Sequence, residues 1–158
     1  MTDRDQALRA MIDRYGDMIF RLAVTRVRNR SDAEDICQEV FLRWYTQKVP
    51  FESEEHEKAW LIRVTLNCTN TLLTSSWFKR TVPLPETLGI KERSESAVWS
   101  AVMSLSKADR TLIHLYYYEE YSTAEIAELT QTTEGTVRSR LSRARKRLKE
   151  ILKGEFTL

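Results

Sequence analysis

Residues 132–149, TTEGTVRSRLSRARKRLK, constrain this chain more than any other segment, because they suit a helix with only one face fit for a core. At about 100° per residue, Val137, Leu141, Ala144, Leu148 and Ile151 align on one side. Arg138, Arg140, Arg143, Arg145, Lys146, Arg147 and Lys149 cover the rest, with no acidic residue among them. Such a helix docks along its apolar stripe and presents uncompensated positive charge, for which a phosphate backbone is a natural partner. A solvated surface helix would account for the charge alone.

The preceding residues argue against that simpler account. Residues 122–131, STAEIAELTQ, offer Ser122 as an N-cap, Glu125 three positions later, and Ile126, Ala127 and Leu129 for a buried face. The turn TQTTEG then leads into the basic helix, the pattern of a helix-turn-helix whose second helix enters the DNA major groove. Side chains near the start of that helix and turned from its stripe are expected to reach base edges: Thr136, Ser139, Arg140 and Arg143, with Arg138 at the flank. Arginine can pair bidentately with guanine, and hydroxyls serve base edges or phosphates. Arg145, Lys146, Arg147 and Lys149 are expected on the backbone or in solvent.

A chain of 158 residues with 42% apolar content suits one medium domain or two small ones. Its net charge of +2 conceals an asymmetry. Between Ser31 and Glu57 there are eight acidic residues against Arg43 and Lys48, whereas 136–149 holds seven basic residues and none acidic. Opposite signs at the two ends suggest two different partners. Between them, the stretch around Pro83, Pro85 and Gly89 loses helical periodicity and reads as a linker, with Trp77 and Phe78 near its start. The expected division is 1–75, a linker at 76–95, and 96–158.

No stretch reaches the roughly 18 apolar residues of a membrane span, and the first residues lack a signal peptide's apolar core, so the expected location is the cytoplasm, without membrane insertion. Cys37 and Cys68 have no CxxC spacing and only His56 and His114 as further candidate ligands, so reduced structural thiols are expected and no metal. The four glycines form no phosphate-cradling loop, no nucleophile constellation is visible, and neither a cofactor nor an enzyme is expected.

The N-terminal half carries three helical patterns. The first spans about residues 4–28, as one helix or two across Gly16. The second places Ser31 as N-cap with Glu34 completing a capping box, buries Ile36, Cys37, Val40, Phe41 and Trp44, and exposes Asp35, Gln38, Glu39 and Leu42, with Asp32 and Arg43 beside them. A leucine set among carboxylates and an amide reads as a contact patch. The third runs from 56 to 73, with Trp60, Leu61 or Ile62, Val64, Leu66 and Leu73 at mixed helical spacings.

The strings DAEDICQEVFLRWY, KAWLIRVTLN and EIAELTQTTEGTVRSRLSRARKRL together resemble the two conserved regions of a bacterial extracytoplasmic-function sigma factor of the sigma-70 family. The resemblance covers nearly the whole chain outside the linker, in the expected order. It implies an all-α protein of two small helical domains joined by a flexible linker, the second a helix-turn-helix of winged-helix-like or homeodomain-like class without strands. It also implies a protein that seats on core RNA polymerase and directs it to promoters.

Carried over residue by residue, the likeness gives Asp35, Gln38, Glu39 and Leu42 to the clamp helices of the largest polymerase subunit. It gives Phe51, His56, Lys58, Arg63 and Asn67 to the minus-ten element, with Trp60 as a supporting core residue. Thr136, Arg138, Ser139, Arg140 and Arg143 fall to the minus-thirty-five element. Further implied partners are the flap of the second subunit, promoter DNA, and an anti-sigma factor, often membrane-bound in this family. Melting would extrude bases into protein pockets by binding energy, without chemical catalysis.

One departure is that the residues from Cys68 to Ser75 carry no charge, where many relatives have an acidic residue and a basic cluster; the resemblance then implies minus-ten backbone contacts that are either weaker or supplied by Lys79 and Arg80 in the linker. The competing reading is a dimeric helix-turn-helix regulator that binds an operator without polymerase. It rests on the C-terminal half alone.

Overall fold

The computed structural model describes residues 2–73 and 93–156. Most of the expected linker, with Trp77, Phe78, Lys79 and Arg80, lies outside the described residues. Among the described residues there are seven helices and no strand: α1 (Asp3–Val27), α2 (Arg30–Thr46), α3 (Glu54–Leu73), α4 (Arg93–Met103), α5 (Lys107–Ile113), α6 (Thr123–Thr130) and α7 (Glu134–Phe156). The all-α expectation holds. The chain divides into two compact units, Met1–Pro85 and Glu86–Leu158. α4 begins at Arg93, ahead of the expected domain start at 96.

In the first unit α1 is one continuous helix across Gly16, opened by a capping box between Thr2 and Asp5. It stops at Arg28, whose left-handed backbone (φ 61) returns its N–H to Val24 O at 2.8 Å. That reversal leaves Asn29 extended, and its side chain takes the Asp32 N–H at 3.0 Å. Asn29 therefore caps α2, and the expected Ser31 cap with Glu34 is corrected: the left-handed turn starts the helix two residues early, and an asparagine oxygen serves the orphan N–H as a serine hydroxyl would. The three helices pack pairwise around Ile19, Leu22, Val27, Val40, Leu61 and Ile62, all fully buried. Each such side chain contributes about 1.5–3 kcal/mol by leaving water.

Both Leu61 and Ile62 face this core, so the choice posed by the sequence was not one. Arg26 is buried there as well. Its Nε donates to Thr69 Oγ1 at 2.8 Å and its Nη2 to Asn70, while burial pulls the guanidinium down to about 10, still charged at neutral pH. The first three residues of the uncharged run after Asn67 thus have a structural reason: Cys68 and Thr69 are interior, and Thr69 and Asn70 hold the buried arginine.

In the second unit the apolar stripe of α7 is the bed on which α4, α5 and α6 pack. Val137, Leu141 and Ala144 are buried, and Leu148 and Ile151 half-buried. The capping box between Ser122 and Glu125 opens α6 as expected. α6 closes on Gln131 in the left-handed conformation (φ 57), with Thr132 N–H bonded back to Ala127 O at 2.9 Å. This is the sharp C-terminal turn that glycine more often supplies. α5 widens into a π segment at His114–Tyr118, closed by Glu119 N–H to His114 O at 3.2 Å.

Candidate nucleic-acid and protein interfaces

Asp35, Gln38, Glu39 and Leu42 follow one another at helical spacing on α2, and all four are exposed. Leu42 keeps 58% of its surface in water. Arg43 reaches Glu39 at 3.2 Å, a surface pair worth little energetically that limits the acidic character of the patch. Asp32, expected beside this patch, is instead buried at the helix start, and burial with the Asp35 charge raises its carboxyl.

The loop after α2 and the outer face of α3 form a second exposed region. Phe51 sits edge-on to His56 and to Trp60, each at 5.4 Å between ring centroids. His56 Nδ1 accepts the Glu52 N–H at 3.0 Å, and Ser53 Oγ accepts the His56 N–H at 3.0 Å, so the imidazole clips the loop to the start of α3. His56, Trp60, Arg63 and Asn67 recur at intervals of four, three and four, which places them on one face. Arg63 and Asn67 are exposed. Lys58 lies on the other side of the helix, apart from this face. Trp60, expected as a supporting core residue, is half-buried and belongs instead to an aromatic cluster whose three rings, Phe51, His56 and Trp60, are all half-buried, because its partner Phe51 comes from the loop and not from the interior. Val49, on the same loop and 73% exposed, was not singled out by the sequence.

In the helix-turn-helix, the turn is braced by Thr123, which donates its hydroxyl to Glu134 at 2.7 Å. Thr133 accepts the Thr136 N–H at 3.2 Å and shares a hydrogen bond with the Thr136 hydroxyl at 2.8 Å. Thr136 is therefore exposed but engaged in starting α7. Arg138 lies 3.8 Å from Glu134. Ser139 and Arg143 are exposed on the outer side of α7, as expected. Ser142 and Lys146 share that side, and Ser142 was missed although it stands three residues after Ser139. Arg140 is half-buried at the edge of the apolar stripe, 3.5 Å from Asp109, and does not join the outward group. Arg145 donates to the Tyr117 hydroxyl at 3.2 Å and covers the Tyr116 ring at 5.8 Å.

Neither thiol takes part in these surfaces. Cys37 and Cys68 are buried, and burial, with the Glu34 charge nearby, pushes Cys37 up to about 11. Among the described residues no group of three His, Cys, Asp or Glu is placed to hold a metal ion, and no helix is long and apolar enough to cross a membrane.

The family model for sigma-70 region 2 matches residues 11–78, and that for sigma-70 region 4 matches residues 95–148. The chain is 28% identical to the ECF RNA polymerase sigma factor SigW of Bacillus subtilis, covering 96% of this chain and 91% of that protein. It is 30% identical to SigL of Mycobacterium tuberculosis, covering 92% and 88% respectively. The solved sigma factor RpoE from Bartonella quintana, in complex with the anti-sigma factor NepR, shares the fold at a TM-score of 0.74 and 23% identity over 94% of this chain and 98% of that one. CnrH, in complex with the cytosolic domain of CnrY, gives 0.69 and 22%, covering 95% and 90%. A match to region 2 is not what an operator-binding regulator supported by its C-terminal half alone would show, and that alternative is not favoured. With both regions in order and relatives matched almost end to end, the chain belongs to the ECF RNA polymerase sigma factors of the sigma-70 family.

Proposed function

We propose that this sigma factor divides promoter-specific initiation between three surfaces of its two units. The exposed α2 face of Asp35, Gln38, Glu39 and Leu42 docks on the clamp helices of the largest polymerase subunit. The observation that carries this assignment is Leu42, left in water among acidic and amide side chains on a helix whose other face buries Ile36, Cys37, Val40 and Trp44, with Phe41 half-buried. The half-buried Phe51, His56 and Trp60 cluster, with the exposed Arg63 and Asn67 along the same face, reads the minus-ten strand, because aromatic faces stack on unpaired bases while polar side chains beside them hydrogen-bond to base edges. Lys58, on the opposite side of α3, is left out of that surface.

The outer side of α7 enters the duplex major groove at the minus-thirty-five element, with Ser139 and Arg143 foremost and Ser142 beside them. The flap of the second polymerase subunit holds this second unit on the enzyme. The work done is binding and strand separation, not catalysis, and it is carried out in the cytoplasm, where core polymerase is. The NepR complex of the RpoE relative supports a further partner, an anti-sigma factor that covers the polymerase-binding surfaces.

The test is co-elution with sigma-free core polymerase on size exclusion, wild type beside Glu39→Lys. The substitution reverses the charge and sets it against Arg43, and it is expected to abolish co-elution with the fold intact. Undiminished co-elution of Glu39→Lys overturns the docking assignment, and a folded wild type that fails to bind core overturns the reading as a whole.

A further inference from the structure

We propose that Arg4 is a positioning residue for the loop that reads the minus-ten strand, a role resting on the loop assignment above. The last carbonyls of a helix have no partners within it. At the end of α2 they are met by Arg4 from the first turn of α1. Its Nε donates to Tyr45 O at 3.0 Å, and its Nη2 donates to Tyr45 O at 2.8 Å, Trp44 O at 3.1 Å and Gln47 O at 2.6 Å. The guanidinium carbon lies 5.0 Å from the centroid of the Trp44 ring and 5.8 Å from that of Tyr45, and its charge stands at the negative end of the helix.

A second contact closes the clasp, the Tyr45 hydroxyl donating to Asp5 Oδ1 at 2.9 Å, and Asp5 is itself held in the Thr2 capping box. Stabilising the helix end would require only the carbonyls of Trp44 and Tyr45. The bond to Gln47 goes one step further, because Gln47 has already left the helix with an extended backbone (φ −71, ψ 146). Fixing its carbonyl sets the direction in which the chain departs.

The far end of the same loop is pinned by further contacts, one of them from Trp44 itself. Trp44 Nε1 donates to Glu57 at 2.9 Å, Arg14 pairs with Glu54 at 2.8 Å, and the Tyr15 hydroxyl reaches Glu54 O at 3.4 Å. Residues 48–53, with Val49 and Phe51, are thus strung between two anchors, and Arg4 is the one at the entry. The guanidinium suits this place because its rigid fork reaches the carbonyls with two nitrogens while lying over the Trp44 and Tyr45 rings, whereas a lysine offers a single ammonium on a flexible stem.

The experiment uses holoenzyme reconstituted with the full chain. The probes are short single-stranded oligonucleotides enriched from a random pool by the wild-type holoenzyme, and scrambled versions of them, with binding followed by fluorescence anisotropy. The readout is the affinity ratio of enriched over scrambled probe. Arg4→Ala is expected to lower that ratio by about threefold to tenfold, as misplacement of a positioned group does, with co-elution on core polymerase and affinity for the scrambled probe unchanged. Arg4→Lys should fall between, and Tyr45→Phe should lower the ratio in the same direction but less.

Phe51→Ala separates this proposal from the reading beneath it. If Phe51→Ala lowers the ratio and neither Arg4→Ala nor Tyr45→Phe does, the loop reads DNA but Arg4 does not position it. If Phe51→Ala leaves the ratio unchanged, the loop assignment itself fails and takes the proposal with it. An equal loss on both probes makes Arg4 merely structural and also overturns it. Should Arg4→Ala not fold, Tyr45→Phe decides by the same criteria.

Discussion

The guanidinium of Arg140 stands 3.5 Å from the carboxylate of Asp109, so an arginine of the basic helix is held by an acid from the first turn of α5. The distance is long for a hydrogen bond, and that carboxylate oxygen is buried without one. Asp109 also subtracts a charge close to where a phosphate backbone would run. Asp109→Asn should therefore tighten holoenzyme binding to duplex carrying the upstream element and to random duplex alike, and steepen the salt dependence by up to about one unit in log–log slope. Titrations over a range of salt concentrations check this. A weaker complex would instead show that Asp109 aims Arg140 at the DNA.

Arg143 is exposed and on the outer side of α7, whereas Arg140 is half-buried beside Asp109. Arg143→Ala is expected to cost roughly 1–3 kcal/mol at the upstream element and to relax its sequence preference, with a smaller loss for Arg140→Ala. Duplexes altered one base pair at a time distinguish the roles. Loss that is uniform over all sequences makes Arg143 a phosphate contact.

The carboxyl of Glu125 is held below its ordinary value of 4.5, chiefly by the Ser122 backbone N–H and then by the Ser122 hydroxyl. A depressed carboxyl contributes stability that is present above the unfolded value and disappears as pH falls through the folded one. Glu125→Gln keeps an acceptor for the capping box but does not titrate. The melting temperature of wild type should exceed that of Glu125→Gln by a constant margin above about pH 5, and the margin should shrink on further acidification. A margin independent of pH would mean that the carboxylate charge contributes nothing at this cap.

Cys37 and Cys68 lie inside the first unit, and burial raises both thiols. The reactive species is the thiolate, so both should be inert to a maleimide at pH 8 in the native protein and both modified in denaturant. Mass spectrometry after a short exposure counts the adducts. Rapid native modification of either would show that α2 and α3 open locally.

Gln131 adopts the left-handed conformation that closes α6 (φ 57). A non-glycine residue there costs about 1–2 kcal/mol, partly offset in Gln131→Gly by the greater freedom glycine gives the unfolded chain. Gln131→Gly should stabilise the second unit by about 0.5–1 kcal/mol, seen as a higher midpoint in urea monitored by hydrogen exchange of α6 and α7 amides. A lower midpoint would mean that the glutamine side chain holds the turn by contacts of its own.

Legibility in the sequence followed the physics of each element. The buried stripe at Val137, Leu141 and Ala144 and the capping box at Ser122 and Glu125 are local, short-range patterns, and they could be read directly. So could the exposure of Asp35, Gln38, Glu39 and Leu42, since a helical wheel decides it once the opposite face is apolar. The Asn29 cap escaped because it depends on a left-handed residue before it, which side-chain identity at Arg28 does not announce. Trp60 was misplaced, and Arg140 pairs where periodicity did not look, because their partners Phe51 and Asp109 arrive from other elements. Tertiary pairing of this kind lies beyond the reach of periodicity.

The π segment at His114–Tyr118 has a consequence for how this chain tolerates insertions and deletions. A π turn accommodates about one residue more than an α turn, so side chains beyond it are carried around the axis by roughly a residue's worth of rotation. Tyr117 meets Arg145 across the second unit from within that widened turn. A chain one residue shorter here could run on as an ordinary α-helix and keep its core, yet it would withdraw the tyrosine and leave the arginine of the basic helix without that tether. The spacing of YYY in this segment is thus a matter of phase as much as of composition.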